Sequence, residues 1–286
     1  MNKKYIIAGA VVTALLIGGT AIYFATSAKS VQVNKNAVQG VETSALKKLV
    51  PSGELIVGID EAFPPVTFKQ ADGSYAGIDI ELAQEMQKRT GVKMTAKPIE
   101  WDSIIPALIS KDIDIIWSGM GITQERAQKV NFVTYSKGPK GVAFTLTSSN
   151  INSKEDLTGK VIAVQSGSYQ ETDLKEGKII AVNSWKEIKS MSTLPEAILD
   201  LKLGRVDAVI AGPDSANYYI QKTLNEADKF KMVDVGYAEG QGGIGLRKED
   251  VALQAELQKV VDEIIKDGTA SKITMKWLGV DKYLNY

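Results

Sequence analysis

Arg126 follows an apolar run that ends at Trp117, with the small residues Ser118, Gly119 and Gly121 between them. A guanidinium fork meets a planar carboxylate bidentately, so an arginine placed beside a glycine-rich turn can hold an organic anion. Elsewhere on a helix such a residue is more often a solvated charge, and its position after the run is what singles it out. Gly167-Ser168-Tyr169-Gln170 opens a helical pattern directly after another apolar run. Free amides and the helix dipole suit an anion there. Ser168 can also act as a plain N-cap, which needs no ligand, and the two roles are compatible. Asp60, Glu61 and Phe63 follow the first apolar run, and Trp101 the second.

Other chemistries are excluded by composition. The chain has no histidine and no cysteine. Zinc sites built on nitrogen or sulfur, thiol nucleophiles and imidazole-assisted serine nucleophiles are therefore ruled out. An enzyme would have to work with carboxylates, lysine or tyrosine, and no second carboxylate pairs with Asp60 or Glu61. No catalytic residue, metal ligand or cofactor is assigned. Lys+Arg and Asp+Glu are equal at 34 each, which gives no bulk field for nucleic acid or an anionic surface. Gly240 to Gly245 fits G-x-G-x-x-G but opens no helix directly after a strand, so nucleotide binding is rejected.

The elements that position these residues alternate along the chain. Strands are expected at 55–59, 92–99, 113–117, 142–146, 161–165, 179–182, 207–211 and 232–235. Helices are expected at 79–90 (closed by Gly91), 103–110, from Thr123, 195–203, 249–266 and 269–277, with a capping box at Ser153 and Asp156. This alternation means βαβ units and mostly parallel sheets flanked by helices. Turn-rich breaks at 137–141 and 236–243 flank a complete α/β unit, so the chain is expected to cross between two lobes twice. Residues 54–138 with 244–286 would form lobe 1 and residues 139–243 lobe 2. Ligands of open α/β sheets sit at the carboxyl ends of strands, where Arg126, Asp60 and Ser168 fall.

At the N-terminus Lys3 and Lys4 precede an uncharged apolar run to Ala28, followed by a polar spacer over 29–53. Residues 1–28 read as a signal peptide or a retained membrane anchor, since the run is long enough to span a bilayer. Either way the rest is expected outside the cytoplasm, at the cell surface or secreted.

Gly77-Ile78-Asp79-Ile80-Glu81-Leu82-Ala83 resembles the signature of the family 3 solute-binding proteins, the polar amino-acid-binding subunits of ABC importers. The resemblance continues through Trp101-Asp102-Ser103, Ser118 to Thr123, Glu125-Arg126, Val164 to Tyr169, Gly204 to Ile210 and Gly268 to Gly279. It implies a two-lobed periplasmic-binding-protein-like fold that closes on a hinge. It also implies a monomer that captures an L-amino acid and delivers it to an ABC permease with its cytoplasmic ATPase. By that resemblance Arg126 clamps the ligand carboxylate, aided by Ser118, Gly119 and Gly121, the last standing where relatives carry Thr or Ser. Phe63 and Trp101 sandwich the ligand side chain, and Asp60 meets its polar, cationic or amide end. Gly212 stands where relatives carry an acid for the ammonium; Asp214 takes over that role or caps the following helix. Fold alone does not fix function, so a carboxylate-dependent lyase and a ligand-sensing ectodomain are the rival readings.

Overall fold

The computed structural model describes residues 43–138, 141–237 and 240–283. The N-terminal apolar run, most of the spacer, and Pro139 and Lys140 of the first break lie outside them. Among the described residues no helix is long and apolar enough to cross a membrane.

The first sheet contains β1 (Glu54–Ile59), β5 (Lys93–Pro98), β6 (Ile115–Ile116), β7 (Asn131–Gly138) and β13 (Gly240–Leu246), in the order β5-β1-β6-β13-β7. Strand β1 is parallel to β5 and β6, while β13 is antiparallel to both β6 and β7. Four strands therefore run one way and β13 alone runs back. A small sheet of β2 (Ala62–Phe63), β3 (Thr67–Lys69) and β4 (Tyr75–Ala76) follows β1. The second sheet repeats the larger plan with β8 (Val142–Leu146), β9 (Val161–Gln165), β10 (Glu187–Met191), β11 (Ala208–Ala211) and β12 (Phe230–Asp234), in the order β10-β9-β11-β8-β12. There β8 is the reversed strand.

Helices cover both faces because each sheet is apolar on both. In the first lobe α1 (Thr43–Leu49), α2 (Ile78–Thr90), α8 (Val251–Lys266) and α9 (Thr269–Leu278) close one core, and α3 (Ile104–Ile109) closes the other. Helix α2 carries Asp79 and Glu81 in its first turn, favoured by the dipole, and ends at Gly91 in the left-handed conformation, φ 69°. The short α4 (Gln124–Lys129) starts at Thr123, whose side chain accepts from Arg126 N as expected of an N-cap. In the second lobe α6 (Leu194–Lys202) and α7 (Pro213–Tyr218) cover one face, and α5 (Tyr169–Lys175) packs Leu174 on the other.

Several expectations differ from the structure. Residues 179–182 form no strand: Ile179 and Ile180 are buried as a loop cap on the core, and the edge position is taken by β10. Strand β7 was not expected, although its buried Val133 and Tyr135 alternate with Thr134 and Ser136. Of the break expected over 236–243, Ala238 and Glu239 lie outside the described residues and Gly240–Gly243 belong to strand β13, paired with β7 from Gly240 to Leu246, so these glycines join the first sheet. Its glycines permit close approach; a Cβ on Gly243 would lie 2.9 Å from the Phe132 ring. At Ser153 only half a capping box forms: Asp156 accepts from Ser153 N, and a single 3-10 turn follows. The full box belongs to Thr193 and Glu196 at the head of α6.

Candidate functional site

All ten candidate residues line one cleft between the lobes. The turn after β6 supplies its first wall. Asp79, from α2, accepts from Gly119 N and from the Tyr135 hydroxyl, each at 2.7 Å, and so pins that turn. Burial raises the Asp79 carboxyl to about 7 against these bonds. Gly119 has φ 62°, which favours glycine, and a Cβ there would come tightly, at 3.1 Å, against the Phe63 ring.

Arg126 is 7% exposed. Its Nη1 donates to Gly121 O at 2.9 Å and its Nη2 to Gly167 O of the other lobe at 3.0 Å. The guanidinium stands 5.6 Å from the Trp101 ring centroid, within cation–π range. Among the described residues no carboxylate pairs with it. Burial lowers its pKa to about 10, which leaves it a cation at neutral pH.

Asp60 is buried at the end of β1. Its Oδ1 accepts from Ala62 N at 2.8 Å and its Oδ2 from Gln165 Nε2, across the cleft, at 2.6 Å. Burial raises its pKa against these two bonds, and Glu100 and Glu61 add to the rise. Glu61 does not line the cleft; it meets Lys69 at 3.3 Å and the Tyr75 hydroxyl at 3.2 Å.

The hydroxyl of Ser118 is used inside the lobe. It accepts from Asp60 N at 3.1 Å and lies 2.5 Å from the Thr67 hydroxyl, which itself donates to Asp60 O at 2.7 Å. With the Thr67 proton committed, Ser118 must donate to Thr67, and no proton is left for a ligand.

In the second lobe Ser168 caps α5, accepting from Glu171 N at 3.2 Å. The anion position at this helix end is partly filled by the protein, because Glu171 Oε2 accepts from Gly167 N at 2.8 Å and Ser168 N donates to Gln165 O. The Ser168 hydroxyl proton remains for a ligand oxygen. Tyr169 lies over Gly121, and Phe63 packs against the second-lobe core. Asp214 makes no cap bond to α7; it pairs with Lys282 of the C-terminal segment at 3.0 Å.

Gln165, Asp79, Tyr135 and Lys282 are cleft residues that sequence reasoning did not select. Gln165 is the last residue of β9, so the strand-end rule that found Asp60 could have found it. Lys282 has no local signal, because its partner comes from the other lobe.

The sequence matches the model of the bacterial extracellular solute-binding proteins, family 3, over residues 55–280. It is 29% identical over 238 residues to the L-cystine-binding protein TcyJ of Escherichia coli strain K12, covering 82% of this chain and 86% of that protein. It is 29% identical to the arginine-binding extracellular protein ArtP of Bacillus subtilis strain 168, covering 80% of this chain and 88% of that one. A solved structure of an ABC uptake transporter substrate-binding protein from Streptococcus pneumoniae with bound histidine superposes with a TM-score of 0.78 at 33% identity. It covers 82% of this chain and 96% of its own.

Proposed function

The chain belongs to the bacterial extracellular solute-binding proteins of family 3, and from that premise we propose that its cleft captures an L-amino acid by its carboxylate for delivery to an ABC permease and its ATPase. The relatives named above are solute-binding proteins, not enzymes. The observation that carries the reading is Arg126. A buried guanidinium is costly unless an anion compensates it, and among the described residues no carboxylate forms an ion pair with Arg126, Glu125 and Asp173 acting on it only from a distance. A free α-carboxylate supplies the missing charge in the geometry the fork prefers.

The contacts from Gln165 to Asp60 and from Arg126 to Gly167 bring the two lobes together, as hinge closure around a ligand requires. The lobes are proposed as residues 54–138 with 240–283 and residues 142–234, with the crossings between them. The N-terminal apolar run is proposed to export the protein, cleaved or retained as a tether. A thermal-shift screen of the common amino acids tests the reading. A concentration-dependent stabilisation by at least one of them is expected; none at millimolar concentration would refute amino-acid capture.

A further inference from the structure

Position 121 carries no side chain, and Tyr169 of the opposite lobe occupies the space that one would need. A Cβ on Gly121 would sit 3.3 Å from both Cδ1 and Cε1 of the Tyr169 ring and 3.8 Å from Arg126 Nη1. The ring is held from behind. Tyr237, in the returning crossing, meets it edge-on with centroids 5.7 Å apart and planes at 90°. Tyr237 lies in turn over Gly141 of the outgoing crossing, where a Cβ would come within 2.7 Å of its Cε2. Two glycines thus make room for two tyrosines packed edge to face, and Tyr237 backs the Tyr169 ring where it lies over Gly121.

The ring also stands where two cavities meet. The ligand cleft shares Trp101, Thr123, Arg126 and Tyr169 with a neighbouring groove lined by Ile105, Pro106, Ile109, Met120 and Asp173. Arg126 is fixed in this common wall by two carbonyls and Trp101 is stacked on it. A ligand whose chain continues past its carboxylate would have to pass through that wall into the groove.

We propose that Tyr169 is a specificity-determining residue that closes the carboxylate end of the cleft, so that free amino acids fit and chains extended beyond the carboxylate carbon are refused. This rests on the reading of Arg126 as the carboxylate clamp. The side-chain volume at the wall is supplied by the second lobe through Tyr169, in place of a side chain at 121 in the first. Truncating Tyr169 opens a path to the groove while leaving Arg126 and its carbonyl partners in place.

Calorimetry with L-arginine and L-histidine, and with the dipeptides Arg-Gly and His-Gly, decides it. The variants are Tyr169→Ser, Tyr169→Phe, Gly121→Thr and the double Gly121→Thr/Tyr169→Ser. The wild type is expected to prefer the free amino acid, Tyr169→Phe to keep that preference, and Tyr169→Ser to narrow it by about tenfold or more, equivalent to ~1.4 kcal/mol. Gly121→Thr alone is expected to weaken the free amino acid, and adding Tyr169→Ser to restore it. An unchanged preference in Tyr169→Ser, or a double variant that is merely the sum of the two losses, overturns the proposal. Where the wild type binds neither L-arginine nor L-histidine, the amino acid found in the thermal-shift screen and its C-terminal glycine dipeptide take their place, and binding of none of the common amino acids overturns the amino-acid reading itself. Circular dichroism checks folding, and Tyr169→Val replaces Tyr169→Ser if the latter does not fold.

Discussion

Gln165, the last residue of β9, donates across the cleft to Asp60, the residue after β1, with Nε2 to Oδ2 at 2.6 Å. The bond joins the carboxyl ends of two strands in different lobes, and so it exists only when the lobes are together. Hydrogen bonds to charged groups contribute about 1.5–3 kcal/mol. Gln165→Ala should therefore shift the ligand-free protein toward an open form. Small-angle scattering should give a larger radius of gyration for the variant than for the wild type; equal radii would show that other contacts hold the lobes together.

Arg126→Ala should weaken ligand binding by about 2–5 kcal/mol, the usual cost of removing one partner of a buried charge pair. Arg126→Lys keeps the charge but cannot serve Gly121 O and Gly167 O with a planar fork, so it should recover only part of the loss. Calorimetry with a ligand found in the thermal-shift screen measures both. A loss near 0.5 kcal/mol, typical of surface substitutions, would remove Arg126 from the clamp.

Asp79 gives the protein a pH dependence of definite sign. Its folded pKa is about 7, raised from 3.8 chiefly by burial. Between those values the folded state binds the proton more readily than the unfolded chain. Its contribution to stability is therefore fully present at low pH and is lost as pH rises toward 7. Each pKa unit of that displacement corresponds to about 1.4 kcal/mol. Asp79→Asn keeps an acceptor for Gly119 N and Tyr135 but cannot ionise. Urea denaturation at pH 5 and pH 8 should show a smaller difference for the variant than for the wild type. Equal differences would assign the pH response to other groups.

What the sequence made legible follows from what was local. Residues 55–59 read as a buried strand because they are apolar and bounded by turn residues, and Gly91 read as a cap because its left-handed turn demands glycine. Glu187–Met191 did not read as a strand, since an edge strand with Glu, Lys and Ser on it has no apolar run. Gly240–Leu246 was masked by its own glycines, which lack β-propensity yet here permit close packing. For the site, the strand-end rule pointed to Asp60, Arg126 and Ser168, the family resemblance added others such as Asp214, and all ten candidates line one cleft. It could not tell that Ser118 has given its proton to Thr67, nor that Asp214 faces Lys282, because those facts depend on contacts between distant segments.

Asp214 should act through Lys282 rather than as a lone ammonium anchor. The pair bridges the second lobe and the C-terminal segment at 3.0 Å, and both side chains keep more than a quarter of their exposure, at 27% and 28%. Partly exposed ion pairs contribute about 0–1 kcal/mol. Asp214→Asn should therefore weaken ligand binding by no more than about 1 kcal/mol, and Lys282→Met should do the same. Loss of several kcal/mol in Asp214→Asn alone, with Lys282→Met unaffected, would return the ammonium role to Asp214.

The ligand's side chain should be polar, with cationic and amide forms the favoured classes, and Asp60 should read it. Asp60 faces the cleft from the end of β1, while Glu61, which could have doubled its charge, is turned toward Lys69 and Tyr75. Of these two neighbours only Asp60 therefore reaches the cleft. Its pKa is raised by burial, so an incoming cation would be favoured by holding it ionised, whereas an amide could only take the place of Gln165 as donor. Phe63 and Trp101 line the same cleft, but Trp101 is already engaged with Arg126 and offers its other surfaces to a ligand. The deciding measurement is a binding panel of arginine, lysine, ornithine, glutamine, cystine and leucine on the wild type and on Asp60→Asn. Arginine, lysine or ornithine should bind tightest, and the substitution should cost the cations more than glutamine, by about 1.5 kcal/mol or more, the scale of a hydrogen bond to a charged group. Tightest binding of leucine, or a variant that ranks the panel as the wild type does, would show that Asp60 serves only to join the lobes.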